Sequence, residues 1–166
     1  MSPCLGAELS LNSTILSARV VKMKILMAID FSEKSKQQVD ETLRLLGNAI
    51  GSVWLLHVAE PDPDFVGYAI DPPVMRDQVA KRFHLEHIKL QEMAAALREQ
   101  GVDATALLIQ GETGKTIIEQ SEKLKADMIV VGYSQHGALY HFLLGDTIKG
   151  VLHESARPVL VMPVTS

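Results

Sequence analysis

Cysteine is nearly absent. Only Cys4 occurs in 166 residues, so no disulfide can form within the chain, which agrees with a reducing, cytoplasmic setting. Long apolar runs are missing too: no stretch approaches the roughly 18 residues needed to cross a bilayer. Residues 1–22 lack a basic start ahead of an apolar run, and Glu8, Asn12 and Arg19 interrupt them, so they do not read as a secretory signal. An excess of basic charge is also lacking. Lys and Arg total 16 against 20 Asp and Glu, a formal charge of −4, with a pI of about 5.8. A mildly acidic chain without basic runs is a poor partner for nucleic acid or an anionic membrane.

Several familiar chemistries are excluded by what their patterns lack. Gly111-Glu112-Thr113-Gly114-Lys115-Thr116 invites a phosphate-loop reading, but the lead glycine of such a loop would fall at Ile109, inside a strand. Without it the backbone cannot wrap a phosphate, and the segment reads as an ordinary turn and helix start. A hydrolase elbow needs Gly-x-Ser-x-Gly, and Gly132-Tyr133-Ser134-Gln135-His136 lacks the second glycine. A receiver-type phosphoacceptor would end the third strand, where Ile109-Gln110-Gly111 offers no carboxylate. His84 with His87, and His136 with His141, are joined by no cysteine or carboxylate partner, so no metal site is expected.

What remains is a regular alternation of strand and helix. Hydrophobic residues make up 47% and charged residues 22%, enough apolar content for one globular domain of this length. Ile25-Leu26-Met27-Ala28-Ile29 ends at Asp30 and reads as a strand covered on both faces. Ser32 follows as a helix cap, and Val39, Leu43, Leu46 and Ile50 repeat at helical spacing, with Gly47 and Gly51 closing the helix. A second strand covers Val53 to Val58, and the Pro- and Asp-rich stretch from Glu60 to Pro73 reads as a long loop. A helix from Val74 to Gln100, with a buried stripe of Val79, Phe83, Leu90, Ala94 and Leu97, ends at Gly101. Val102 to Ile109 alternates, as an edge strand does. A helix from Thr113 to Lys123, a strand from Met128 to Val131, a glycine-bounded loop from Gly132 to Gly145, a helix from Asp146 to His153 and a short strand Val159 to Met162 between Pro158 and Pro163 complete the chain.

This order predicts an α/β fold of the Rossmann-like type: an open five-stranded parallel sheet, order 3-2-1-4-5, with helices on both faces. The first and fourth strands are the most purely apolar and take the centre. Their carboxyl ends then frame a crevice of the kind ligands occupy, with Asp30 and Gly132 on its two lips. The domain is expected over residues 23–166, with residues 1–22 a flexible extension; Met23, just before the first strand, is an alternative start.

From Lys24 to Val164 the sequence resembles the universal stress proteins. The likeness lies in Ile25 to Ser32, Leu55-Leu56-His57-Val58, Ala126 to Gly132, the Gly132 to Gly145 loop, and Arg157-Pro158-Val159-Leu160-Val161. It implies the same strand order and a homodimer joined through the last strand, Val159, Leu160, Val161 and Met162. It also implies an ATP site whose phosphate end is a glycine, two residues, a glycine, nine residues, then glycine and a hydroxyl residue. Gly132 and Gly145 match the first and third of these positions, whereas Gln135 and Asp146 replace the second glycine and the hydroxyl. Thr147 can stand in for that hydroxyl, and His136, His141 and Lys149 can add positive charge. The adenine end, at Ala28, Asp30 and Val58, looks intact, and Ile29 and Val131 beside these are counted with the nucleotide site.

The resemblance therefore points to AMP or another low-charge adenine compound in preference to ATP, in a regulatory nucleotide-binding module with an unidentified protein partner. A nucleotide-free dimeric interaction protein is the alternative. A slow ATPase comes last, because no paired base, nucleophile or metal set is present.

Overall fold

The computed structural model describes residues 21–59, 73–134 and 140–164. Residues 1–20 of the expected extension and the Glu60 to Pro72 part of the expected loop lie outside the described residues. Element order is β1 (Met23–Ala28), α1 (Ser35–Leu46), a short 3₁₀ turn (Gly47–Ala49), β2 (Ile50–Ala59), α2 (Pro73–Glu99), β3 (Asp103–Gln110), α3 (Thr113–Lys123), β4 (Met128–Ser134), α4 (Tyr140–Glu154) and β5 (Val159–Val164). The sheet runs β3-β2-β1-β4-β5, and every pairing is parallel.

β1 is central because its residues tolerate cover on both faces. Ile25, Leu26 and Met27 are all fully buried, with Leu26 paired to Trp54 of β2 and to Ile129 of β4. Alternation along the strands divides the interior into two layers. Ile25, Met27, Val53 and Leu55 pack with Val39 of α1 and Leu90, Ala94 and Leu97 of α2. Leu26, Leu56, Ile129 and Val131 face the other way, onto Ile117 of α3 and Ile148 and Val151 of α4. Val79 and Phe83, expected on the buried stripe of α2, are only half-buried.

Four local expectations need correction. Ser32 does not cap α1. The helix begins at Ser35 after Lys34, which makes no side-chain cap bond, and the Ser32 N–H donates to Asp30 instead. Ile50 does not continue the helix: Gly47, at φ +46°, closes α1, and Ile50 opens β2. Pro163 lies within β5 rather than beyond it, opposite Tyr133. β5 is an edge strand, where a missing N–H is tolerated. The fourth helix starts at Tyr140, not at Asp146, so Gly145 and Asp146 fall inside it.

Candidate functional site

β1, β2 and β4 end together, and a cavity of about 510 Å³ opens beyond them. Its floor is made by Ala28, Ile29 and Asp30 after β1, by Leu56, His57 and Val58 of β2, and by Val131 and Gly132 of β4. One side is the start of α3, from Glu112 to Ile118, and the other is α4 at Thr147, Ile148, Gly150 and Glu154. This is the size and make-up of a small-molecule site, largely apolar with few polar groups.

The turn after β1 fixes Asp30. The Ile29 N–H donates to the Leu56 carbonyl at 2.8 Å, and the Ile29 carbonyl accepts at 2.6 Å from His57 Nδ1. A carbonyl only accepts, so His57 carries its hydrogen on Nδ1. Phe31 next takes a left-handed conformation, φ +58°, uncommon outside glycine. Its ring packs against that of His57 at 4.2 Å between centroids. Backbone held in this way is found at ligand sites. Asp30 Oδ1 accepts from Ser35 Oγ at 2.7 Å and from the Ser32 N–H at 2.9 Å. Partial burial pushes its pKa up, but the bonds from Ser35 and Ser32 outweigh that and hold the carboxyl below its ordinary value. Asp30 is therefore an ionised acceptor at neutral pH.

Gly132 also leaves room for a side chain from α1. A Cβ there would lie 2.6 Å from Oε1 of Gln38. Gln38 is 3% exposed, and its Nε2 donates to the Ala28 carbonyl at 3.0 Å. The buried amide thus sits between the ends of β1 and β4 at the cavity floor.

The start of α3, on one side of the cavity, is capped by its own sequence. Glu112 is its N-cap, with one carboxylate oxygen accepting from the Gly114 N–H at 2.9 Å and the other from the Lys115 N–H at 2.9 Å. These are donors that a helix start otherwise offers to an anion.

Of the residues singled out from the sequence, Ala28, Ile29, Asp30, Val58, Val131, Gly132 and Thr147 line the cavity together. Gln135 and His136 lie outside the described residues. Gly145 and Asp146 belong to α4. In a helix that begins at Tyr140, the N–H groups without intrahelical partners are those of the first four residues, which excludes Gly145. Val159, Leu160 and Val161 are half-buried, and Met162 is 4% exposed within the core under α1. Gln38, His57, Glu112, Lys115 and Glu154 were not foreseen at the cavity. For Glu112 and Lys115 a signal existed: the end of β3 must face the same side of the sheet as the ends of β1 and β4. Among the described residues, no group of three His, Cys, Asp or Glu side chains is placed to hold a metal ion, and no helix is long and apolar enough to cross a membrane.

Comparison with known proteins agrees with this architecture. The family model described as the universal stress protein family matches residues 23–163. A universal stress protein of Methanocaldococcus jannaschii is 28% identical over 92% of this chain and 88% of its own length. One from Thermus aquaticus is 30% identical over 83% and 96%. A solved structure of a hypothetical protein aligns with a TM-score of 0.71 at 24% identity, over 86% of this chain and 96% of that one. The chain covers 45% of a longer universal stress protein from Archaeoglobus fulgidus, with 87% of its own residues, at 20% identity and a TM-score of 0.60. Two further structures are a universal stress protein in complex with cAMP (18% identity, 86% of this chain and 97% of that one, TM-score 0.59) and one from Archaeoglobus fulgidus in complex with dAMP (18%, 85% and 98%, TM-score 0.52).

Proposed function

The chain belongs to the universal stress protein family, and from that premise we propose that it is a regulatory module whose cavity takes an adenine nucleotide of low charge. The observation that carries this reading is the convergence of Ala28, Asp30, Val58 and Gly132 on one hollow. Ala28, Val58 and Ile117 supply apolar surface for a ring, and the ionised Asp30 supplies an acceptor for a ribose hydroxyl or an amine. Bound cAMP and dAMP in two structures of similar fold support adenine as the base.

The phosphate end supports a small charge. Gln135 and Asp146 stand where the family pattern has a glycine and a hydroxyl residue. The hydroxyl of Thr147, at the cavity wall, is then the replacement ligand for a phosphate oxygen. On this reading the protein is a cytoplasmic homodimer that alters its contacts with a protein partner as nucleotide binds.

The test is mass analysis of small molecules released on denaturing the purified protein, followed by calorimetric titration with adenosine, AMP and ATP. AMP or adenosine binding more tightly than ATP is the expected result. If no adenine compound is released and none binds at millimolar concentration, the nucleotide-free interaction protein replaces this reading. ATP binding tenfold more tightly than AMP would contradict the low-charge preference.

A further inference from the structure

The acidic start of α3 has no place in the family's glycine pattern, yet it forms a wall of the cavity. Glu112 stands at the very beginning of that wall and spends both carboxylate oxygens on the first N–H groups of the helix. Gly114 lies between this carboxylate and α4. A Cβ on Gly114 would be 3.3 Å from Glu112 Oε1 and 3.9 Å from the carbonyl oxygen of Thr147. The Glu112 carboxylate and the Thr147 backbone of α4 therefore both lie within 4 Å of that one position, and Thr147 is where the adenine-nucleotide reading puts the phosphate.

Among the described lining residues, the other charges do not offset Glu112. Asp30 and Glu154 line it and are acidic. Lys115 is the only lysine or arginine among the described lining residues, but its side chain is 72% exposed and its ammonium lies 3.8 Å from Glu119 on the outer side of α3. A helix start whose free N–H groups are taken by its own carboxylate offers a phosphate a negative charge in place of donors.

We infer that Glu112 is a specificity-determining residue that excludes polyphosphate, so that the cavity selects the nucleoside or monophosphate form of an adenine compound over the triphosphate. The inference rests on the adenine-nucleotide reading above. Repulsion between one carboxylate and the several charges of a triphosphate tail, at a partly shielded distance of several ångströms, amounts to about tenfold in affinity at low salt.

Glu112→Gln separates charge from structure. The amide oxygen can still accept from an N–H of the first turn, while the charge is gone. Binding of adenosine and of ATP to the full-length wild-type protein and to E112Q is measured by calorimetry at low and at high salt, with thermal unfolding of each. The expected result is adenosine affinity within twofold of wild type, ATP affinity raised about tenfold at low salt, and a gain that shrinks as salt is added. If both proteins bind adenosine and the ratio of ATP to adenosine affinity is unchanged, Glu112 is a helix cap only and the inference is overturned. An equal change in both affinities alongside a lower melting temperature overturns it too. If neither protein binds any adenine compound, the underlying reading has failed, and the inference fails with it.

Discussion

Gln38 and Gly132 occupy one another's space: the glutamine Oε1 sits where a side chain on residue 132 would begin, 2.6 Å from its Cβ position. The amide is buried at 3% exposure and tied to the end of β1 through the Ala28 carbonyl. The glycine therefore allows a polar side chain from α1 to reach across the floor of the cavity. A larger residue would displace that side chain and, with it, the geometry shared by the ends of β1 and β4.

Gly132→Ala should accordingly destabilise the fold by about 1–3 kcal/mol, the ordinary cost of forcing one extra carbon into a packed interior. The mechanism is specific to the pair, so a double-mutant cycle checks it by denaturant unfolding. In a Gln38→Ala background the same Gly132→Ala change should cost at least about 0.5 kcal/mol less, within the range of coupling seen for residues in contact. Additive effects would show that Gly132 is needed for its backbone alone.

The depressed pKa of Asp30 makes a prediction about acid. A carboxyl with a folded-state pKa below its unfolded value binds fewer protons when folded. Its contribution to stability is thus fully present above the ordinary value of about 3.9 and is lost as pH falls through the folded value. Because Asp30 is only partly buried and much of the residue remains open to solvent, the contribution should not exceed about 1 kcal/mol. Ser35→Ala removes the 2.7 Å hydroxyl donor, so the Asp30 carboxyl should titrate at higher pH in that variant. NMR titration of the Asp30 side-chain carbonyl checks this. An unmoved midpoint would mean that the N–H of Ser32 suffices.

Much of this architecture was legible because parallel strands announce themselves. Ile25-Leu26-Met27 and Ile129-Val130-Val131 are apolar without alternation, as strands covered on both faces must be, and their central places set the rest of the order. Local boundaries were less legible. Gly145-Asp146 resembles a helix start, but the helix begins at Tyr140 and takes in Leu143 and Leu144, strong helix formers. Glu112 is outside the usual set of capping residues, so its role at α3 gave no signal. The Gln38–Gly132 contact joins residues far apart in the chain, and neither periodicity nor spacing encodes such a pair. At the cavity, apolar floor residues were readable from their strands, and the strand order put the end of β3, with Glu112 and Lys115, on the same side of the sheet; the Gln38 amide reaching in from α1 was not readable.

Position within the layers sets the cost of losing a leucine. Leu26 is fully buried at the centre of β1 and packs among Leu56, Ile129 and Val151, whereas Leu152 is 53% exposed on α4. Leu26→Ala should cost about 2–5 kcal/mol, lost burial plus the cavity left behind. Leu152→Ala should change stability by no more than about 0.5 kcal/mol. Urea unfolding of the two variants measures both. Comparable losses would mean that Leu152 is covered in solution, as by a second protein surface.

The last strand bears on assembly. β5 pairs with β4 along one side only, with Val161 opposite Val131, and no described strand lies beyond it. A free edge of this kind is a template for a second chain. Met162 is 4% exposed in the core of its own chain, so its side chain cannot be the contact. Leu160 also faces that core, while Val159 and Val161 lie against the opposite layer. Association through β5 would then rest on its backbone edge and on the half of Val159, Leu160 and Val161 that stays accessible. Val161→Lys places a charge on that edge while its aliphatic stem can still cover the core. Light scattering should report a dimer for the wild type and a monomer for the variant, with cooperative thermal unfolding retained in both. A variant that remains dimeric would move the interface away from β5, and a monomeric wild type would remove the homodimer altogether.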